Sequence, residues 1–397
     1  MHRRDFLIAG AGVGLLAACR GDGDENAYRQ VNVVASEADA AMLKPMLANA
    51  AQDAEFINAW GIAIRPAGAG GHFWVTAGGW SFQFAGDVSA ASDLSLRTLF
   101  QDALTLVRLP GAGVPDGEAD VTHTDKFIGF GTGVAFNGAD LASDRFVVRG
   151  QRVLVDGVEQ VLEGPARSIF ATDSGVVSGW TERNALSGAI VRRNGPAVEV
   201  INGHSDGHAY FGLALRPGTW DRLWVADFGA APQIRAFDAQ WQPVDLSASG
   251  AFRNPFIGTK AAAEPGDYVP FNIQVLEWRG ANHAFVAYAK SRPDPADPTR
   301  FFAGEEDAVG AADETLQPDR GRVAMFDLDG RLLRAFADGR RLNAPGAWPW
   351  RRQGSAPRQV RCWWATSAAT AASRPSTSSA ARSSASCNRP IDRKSVV

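Results

Sequence analysis

Five oxygen-bearing side chains stand beside apolar stretches that predict β-strands, and their chemistry is that of hard-cation ligands. They are Asn58, Asn137, Asp173, Asp227 and Asn272. Amide and carboxylate oxygens are the groups that Ca²⁺ prefers, and residues at strand ends or in loops commonly form binding sites. The sequence therefore predicts a candidate site for Ca²⁺ or another divalent cation. Turn capping through backbone amides explains the same residues, and the lack of a paired-carboxylate or His–Glu spacing favours that explanation.

One short stretch, His204–His208 (HSDGH), concentrates titratable groups. Two histidines four residues apart can share a metal ion when they lie on one face of a helix. The glycine inside the stretch and the apolar run after it instead predict a turn before a strand, so we interpret it as a surface loop. Its Ser, His and Asp do not indicate a catalytic triad, because triad members normally converge from separate segments.

The elements that position these residues are predicted by short apolar runs between Gly and Pro clusters. Within Gly212–Asp238 three strands are predicted, at Leu213–Leu215, Leu223–Ala226 and Ile234–Phe237. Similar text at Gly61–Pro66 indicates a repeated unit of antiparallel strands. Further strands are predicted at Val31–Val34, Phe73–Gly78, Gly131–Asn137 with Arg145–Val148 as its partner, Val153–Val158 around an Asp-Gly turn, Ile169–Trp180, Pro270–Val275, Ala284–Tyr288 and Val323–Asp327.

A recurring unit of this kind cannot bury both faces alone, so its copies must pack on one another. The first strands begin near Gly61, Gly133, Gly212 and Ile273, at intervals of 72, 79 and 61 residues. Propeller blades usually take about 40–50 residues, so the intervals require either insertions or a further blade. Glycine at three of these starts fits a centre where backbones approach closely. We therefore predict an all-β fold, a six-bladed-type β-propeller over residues 31–345, in preference to a β-sandwich.

Export is predicted by the first residues. Arg3-Arg4 precedes the apolar segment Ile8–Ala18, which is shorter than the roughly 20 residues of a membrane-spanning helix. The tetrapeptide Leu16–Cys19 resembles a lipobox, in which Cys19 would be acylated. We assign residues 1–19 to a twin-arginine, lipoprotein export signal and residues 20–30 to a flexible tether. We therefore predict a periplasmic or cell-surface lipoprotein that is attached to the membrane through its acylated Cys19.

Charge and cysteine content exclude other classes. The formal net charge is −3, whereas a nucleic-acid-binding protein shows a strongly basic face, so no nucleic-acid partner is expected. The three cysteines are Cys19, Cys362 and Cys387. They provide no basis for a disulfide framework.

The pattern changes from Gly346 onward, where Ala, Ser and Arg dominate and the apolar alternation stops. A low-complexity tail is one explanation. The other is the loss of one T before the codon of Gly346. Restoring it, with G/C-rich wobble bases, turns Gly346–Pro357 into WGLAVAPAGFGA and Cys362–Thr377 into VLVGNFGGDGRIQAFD, which match the repeat. We interpret residues 346–397 as an out-of-frame, disordered tail, and the propeller as incomplete because its last blades were lost to a frameshift.

Taken in order, these stretches resemble the bacterial secreted proteins with NHL-like six-bladed β-propellers, which are often found with a PEP-CTERM sorting tail. The resemblance covers Val31–Pro345. The chain departs from the family in carrying a lipobox in place of a sorting tail and in lacking the last blades. The resemblance implies a fold and a secreted location, and no particular reaction.

Two functions of different classes remain open. The first is a non-catalytic module, anchored to the envelope, that binds a protein or glycan partner. The second is a metal-dependent hydrolase of the lactonase or lyase type, acting at the central channel of the propeller. Because turn capping explains the Asp and Asn residues, we favour the binding module and assign no cofactor.

The nucleotide sequence across the codon of Gly346 tests the frameshift. We expect that restoring one T there continues the strand pattern of the repeat, since the real codons fix the wobble bases that the amino acids leave free. Sequencing the gene on both strands measures this, with the in-frame codons of Val323–Asp327 as the control. A restored frame without alternating apolar residues would contradict the interpretation.

Overall fold

The computed structural model describes residues 34–35, 51–65, 73–84, 104–112, 129–294, 297–299, 301–302, 319–336, 342 and 395–396. The fold of these residues is all-β, with several antiparallel sheets and no α-helix. Their one helical element is the short 3₁₀ turn His204–Asp206. No helix in these ranges has the length and apolar character needed to cross a bilayer. The all-β class predicted from the sequence is confirmed.

Four sheets of the same build make up most of the fold. In each, four strands follow one another in chain order and each pairs antiparallel with the next. Sheet 1 contains Ile62–Ile64, Phe73–Ala77, Trp80–Phe84 and Leu106–Arg108. Sheet 2 contains Gly131–Phe136, Ser168–Thr172, Val176–Trp180 and Val198–Asn202. Sheet 3 contains Tyr210–Leu215, Arg222–Asp227, Gln233–Asp238 and Pro243–Val244. Sheet 4 contains Tyr268–Trp278, Ala281–Lys290, Gly321–Phe326 and Leu332–Ala335.

The first strands of the four sheets lie side by side, and glycine permits their close approach. A Cβ atom added to Gly61 would stand 2.3 Å from the carbonyl oxygen of Thr132 in sheet 2. The same atom on Gly133 would stand 3.0 Å from the backbone nitrogen of Leu213 in sheet 3, and on Gly212 it would stand 3.0 Å from Asn272 Cα in sheet 4. Such distances leave no room for a side chain. The close approach predicted from these glycines is confirmed.

Two buried threonines join successive sheets through hydrogen bonds. Thr76 Oγ1 of sheet 1 donates to the carbonyl oxygen of Thr132 at 2.8 Å. Thr132 Oγ1 in turn donates to the carbonyl oxygen of Tyr210 in sheet 3 at 2.5 Å. Both threonine side chains are buried, so these bonds satisfy polar groups that water does not reach.

Apolar side chains fill the space between successive sheets, because a sheet that lies between two others has two apolar faces that must be shielded from water. Between sheets 1 and 2 the core contains Trp74, Val134, Phe170 and Trp180. Between sheets 2 and 3 it contains Ile169, Val177, Leu213 and Val225. Between sheets 3 and 4 it contains Trp224, Ile234, Ile273 and Val286.

The segment just before sheet 1 contacts sheets 3 and 4. Trp60, just before the first strand of sheet 1, donates its Nε1–H to the carbonyl oxygen of Phe211 at 3.0 Å. Its ring also packs edge-on against Phe271 of sheet 4, with centroids 5.4 Å apart. Residues near the starts of the first strands of sheets 1, 3 and 4 therefore lie close together.

A hairpin inserted in sheet 2 accounts for the longest repeat interval. Val147–Val155 and Val158–Pro165 pair with each other between the first and second strands of that sheet. Their turn has φ of 51° at Asp156 and 81° at Gly157, as the predicted Asp-Gly hairpin requires. The predicted pairing of Arg145–Val148 with Gly131–Asn137 is wrong, since Gly131–Phe136 pairs with Ser168–Thr172 and the inserted strand turns away to close its own hairpin.

Short strands from distant parts of the chain complete the fold. Gly195–Pro196 pairs in parallel with Leu106–Arg108 at the outer edge of sheet 1. Val34–Ala35 pairs with both Ala51–Gln52 and Ser395–Val396, and Arg292–Pro293 pairs with Phe301–Phe302. Of the predicted tail, only Ser395–Val396 is described; the export signal, the tether and the rest of the tail lie outside the described residues.

Replacing Gly61 with alanine tests the close approach of the first strands. We expect Gly61→Ala to lower the free energy of unfolding by about 3 kcal/mol, because the new methyl group would overlap backbone atoms that cannot rotate away. Urea denaturation followed by tryptophan fluorescence measures this. The control is Gly150→Ala, where no atom lies within 4 Å and only the left-handed backbone costs about 1 kcal/mol. Equal losses in both variants would contradict the packing argument.

Candidate functional site

Asp173 and Asp227 occupy the same position in neighbouring sheets. Asp173 directly follows the second strand of sheet 2 and Asp227 ends the second strand of sheet 3, and each binds the backbone N–H of the residue before the first strand. Asp173 Oδ1 accepts from Phe130 N at 2.6 Å, and Asp227 Oδ1 accepts from Ala209 N at 3.0 Å. The repeated carboxylate therefore fastens the start of the first strand to its own sheet.

The carboxylate of Asp227 is fully buried and its two oxygens have several partners. Oδ1 also accepts from Gly229 N at 2.8 Å, while Oδ2 accepts from Arg235 Nε at 2.6 Å. His208 Nδ1 lies 3.0 Å from Oδ2. Burial, assisted by the negative charge of Asp227, raises the pKa of the nearby Tyr210 phenol well above its usual range. The charge of Asp227 is thus compensated by groups of the chain itself.

The three asparagines of the predicted site serve backbone geometry and packing. Asn137 is buried directly after the first strand of sheet 2, and its Oδ1 accepts from Ala139 N at 3.0 Å. Asn58 lies in the turn before sheet 1 with φ of 50°, a conformation that asparagine adopts more readily than most residues. Asn272 packs its side chain against Gly212 at a register shift in sheet 4. Turn capping is confirmed for Asn137 and Asp227.

The five predicted residues do not meet at one end of the strands. The register pairs Gly131 with Thr172 and Tyr210 with Asp227, which puts Asp173 and Asp227 at the beginning of the first strands. Asn137 follows Phe136 and therefore lies at the opposite end of its strand. Among the described residues, no group of three or more His, Cys, Asp or Glu side chains is arranged to hold a metal ion.

The two histidines of the HSDGH segment have different partners. His204 Nδ1 lies 3.1 Å from the carbonyl oxygen of Ser174, while His208 contacts Asp227. The segment contains the short 3₁₀ turn His204–Asp206, which is followed by Gly207 with φ of 72°. The interpretation as a loop is confirmed, although His208 is largely covered, with 15% of its side chain exposed.

A group of charged residues that the sequence did not reveal lies between sheets 1 and 2. Arg65, Arg167 and Arg192 surround the buried carboxylate of Glu182. These residues come from separate segments, so their spacing along the sequence does not predict that they are in contact. One signal was available: Arg65 follows the first strand of sheet 1 in GIAIRP, as Arg216 follows that of sheet 3 in GLALRP.

No family model matches the chain, and no curated protein matches it. The resemblance to secreted NHL-like propellers therefore stays a prediction.

Asp227→Asn tests whether the buried carboxylate stabilises the fold. We expect a loss of about 3 kcal/mol in the free energy of unfolding, because the isosteric amide keeps the backbone bonds but leaves Arg235 without its counter-charge. Urea denaturation at neutral pH measures this. Asp206→Asn, the same change at an exposed residue four positions from the first strand of sheet 3, is the control and should change stability by less than about 0.5 kcal/mol. A similar small change at Asp227 would show that its ion pairs contribute little.

Proposed function

We propose that the chain is an exported, envelope-anchored β-propeller that binds a ligand or a protein and catalyses no reaction. Four meander sheets with adjacent first strands, three of them with a glycine at the close approach, support the propeller, because blades pack in this way around a centre. Arg3-Arg4 and the lipobox-like Leu16–Cys19 support export and anchoring to the membrane. The frameshift interpretation supports a ring of six-bladed type whose last blades are missing.

The contacts of Asp227 are the observation that favours a binding module over a metal-dependent hydrolase. Both carboxylate oxygens accept from the chain, at 2.8 Å from Gly229 N and 2.6 Å from Arg235 Nε. A metal ligand needs a lone pair directed at the ion, whereas this carboxylate directs its oxygens at protein donors. Asp173 Oδ1 accepts from Phe130 N, as Asp227 Oδ1 accepts from Ala209 N. The repetition supports a structural role for both residues.

Propellers present ligand sites on the loops and strand ends at the mouth of their channel. A protein or glycan partner is compatible with a rigid scaffold of this kind, because binding such a partner requires an accessible surface and no catalytic residues. The proposed activity is therefore recognition of a partner at the cell envelope.

Metal analysis of protein from the membrane fraction and from the soluble fraction distinguishes the proposed binding module from a metal-dependent hydrolase. The full chain is extracted from membranes with detergent, and the Cys19→Ser variant is collected from the soluble fraction. We expect the Cys19→Ser variant to move from the membrane to the soluble fraction, because acylation of Cys19 supplies the anchor. By mass spectrometry we expect less than 0.1 equivalent (roughly one molecule in ten) of any divalent ion in either preparation.

Asp227→Asn serves as the comparison in this measurement. One equivalent of calcium or another divalent ion in the parent protein, lost in Asp227→Asn, would favour the lactonase- or lyase-like enzyme. Recovery of Cys19→Ser protein in the membrane fraction would overturn the lipid anchor.

A further inference from the structure

The hairpin inserted in sheet 2 carries a group of exposed apolar side chains. Of the nine large apolar side chains that are exposed in the described part of the chain, five lie on this hairpin or in the loop after the third strand of sheet 2. They are Leu154, Val158, Val161, Leu186 and Ile190, with exposed fractions of 65%, 64%, 41%, 99% and 47%. Single exposed apolar residues are normal, whereas a group confined to one part of the surface indicates an interaction site.

The loop extends the sheet of the hairpin by further backbone pairing. Ala185 N donates to the carbonyl oxygen of Val161 at 3.2 Å, and Glu163 N donates to that of Arg183 at 2.9 Å. Arg183 in turn forms an antiparallel bridge with Ile190. The hairpin and the loop therefore form one continuous surface.

Strand alternation divides this surface into a buried side and an exposed side. Gln151, Val153 and Leu162 are buried, and Gln151 Nε2 donates to the carbonyl oxygen of Thr181, next to sheet 2, at 2.9 Å. The residues that alternate with them lie on the opposite side, where Arg152 pairs with Val161 and Leu154 pairs with Glu159 in the register of the hairpin. We call this side the hairpin face; it contains Arg149, Arg152, Leu154, Glu159, Val161 and Glu163.

The base of the hairpin is held by the other sheets. Trp241, in the last turn of sheet 3, donates its Nε1–H to the carbonyl oxygen of Val147 at 2.9 Å, and its ring packs edge-on against Phe146 with centroids 4.9 Å apart. A Cβ atom added to Gly195, at the outer edge of sheet 1, would stand 2.8 Å from Val153 Cγ1. The hairpin face thus lies on a fixed support, which lowers the entropy lost when a partner binds.

The charges of the hairpin face are separated by strand. Arg149 and Arg152 lie on the first strand of the hairpin, and Glu159 and Glu163 lie on the second. Arg152 Nη1 lies 2.7 Å from Glu159 Oε1, and Arg149 Nε lies 3.2 Å from Glu163 Oε1. These side chains are 42–71% exposed, so the two ion pairs contribute little stability by themselves. A guanidinium has five N–H donors, which is more than one carboxylate uses.

This separation of charge makes the hairpin face complementary to a second copy of itself. When two such faces pack on each other about a two-fold axis parallel to the strands, the arginine strand of each copy lies across from the glutamate strand of the other. Leu154 and Val161 of the two copies then meet between the charges. Each guanidinium can bind a carboxylate of its own chain and one of the other copy.

Other occupants fit the hairpin face less well. An anionic membrane attracts a surface of net positive charge, whereas two arginines and two glutamates give this face no net charge. Edge-to-edge pairing of the first hairpin strand, whose outer edge has no partner among the described strands, would set Arg149 and Arg152 beside the same residues of a second copy. Like charges in that position are destabilising, so face-to-face packing is favoured.

We propose that the hairpin face, together with the loop around Leu186, is the contact surface of a weak homodimer. With eight residues in the second hairpin strand and four neighbouring segments, the surface measures about 26 Å by 19 Å, or roughly 500 Å² per copy. Stable interfaces bury about 800 Å² per partner. We therefore expect a dissociation constant between about 10 and 100 μM. This inference goes beyond the proposed function, because it concerns contact between copies of the chain.

Sedimentation velocity of the full chain tests the dimer. The Cys19→Ser variant serves as the parent protein, so that no detergent is needed, and circular dichroism verifies its folded β-structure. Over a range of about 5 to 500 μM, we expect the sedimentation coefficient to rise from that of a monomer to that of a dimer. A coefficient that stays at the monomer value over the whole range overturns the proposal.

Charge reversal tests which residues meet across the axis. Arg152→Glu and Glu159→Arg should each weaken self-association at least about tenfold, because like charges then face each other twice in every dimer. An equimolar mixture of the two variants should associate about as tightly as the parent protein, since opposite charges face each other again. Both residues are exposed, so the fold should tolerate the changes. Unchanged self-association of the single variants, or no recovery in the mixture, overturns the face-to-face dimer.

Leu154→Ser tests the apolar part of the surface and should weaken self-association at least about tenfold, because each copy loses a buried leucine side chain. The matched control is Leu332→Ser, which changes an exposed leucine of sheet 4 and should leave the affinity unchanged. Equal weakening in both variants would assign the association to general hydrophobic contact and overturn the proposal.

Binding to phosphatidylglycerol vesicles distinguishes a membrane from a second copy. Monomeric parent protein that binds these vesicles, and loses the binding in Leu154→Ser, would assign the hairpin face to a lipid surface and overturn the dimer. These measurements are independent of the metal content and of the membrane fractionation. A failed dimer therefore leaves the proposed function standing.

Discussion

The contact of the first strands with one another is the constraint on which the fold depends. Backbone atoms of Gly61, Gly133 and Gly212 approach the next sheet more closely than a Cβ atom would allow. The apolar layers between the sheets can form only at this spacing, because Val134, Leu213 and similar side chains extend from the same strands. The buried hydrogen bonds of Thr76 and Thr132 fix the spacing further, so packing and polar satisfaction act together.

The sequence was most informative where a residue type has one physical use. Gly61 and Gly212 indicated close approach, Asp156-Gly157 indicated a hairpin turn, and the apolar runs of Gly212–Asp238 indicated three strands; the structure confirms each of these. The sequence failed where pairing is set by distant partners. Arg145–Val148 has strand-like composition, yet nothing local distinguishes a strand of sheet 2 from one of an inserted hairpin. The contacts of Arg65, Arg167 and Arg192 with Glu182 were not predicted for the same reason, since these residues meet only after folding.

The candidate site illustrates how one chemistry serves two purposes. Asp and Asn oxygens bind cations and backbone amides equally well, and spacing along the chain does not distinguish these uses. The structure does, because Asp173 and Asp227 repeat one bond to the residue before the first strand. When the same interaction recurs in several repeats, a residue at an equivalent position with different contacts is more informative about function than one that keeps the shared contacts. Arg65 and Arg216 show this departure, since they share a position and differ in the acids around them.

The parallel pairing of Gly195–Pro196 with Leu106–Arg108 covers the outer edge of sheet 1. An uncovered strand edge offers hydrogen-bonding groups to other molecules, and proline offers no N–H for a further strand. In sheet 4, Leu332–Ala335 forms the outer edge, with every side chain exposed and no described strand beyond it. Among the described residues, the outer edge of sheet 1 is thus covered by a short strand, whereas the outer edge of sheet 4 has no strand beside it and carries the exposed Leu332 and Leu333.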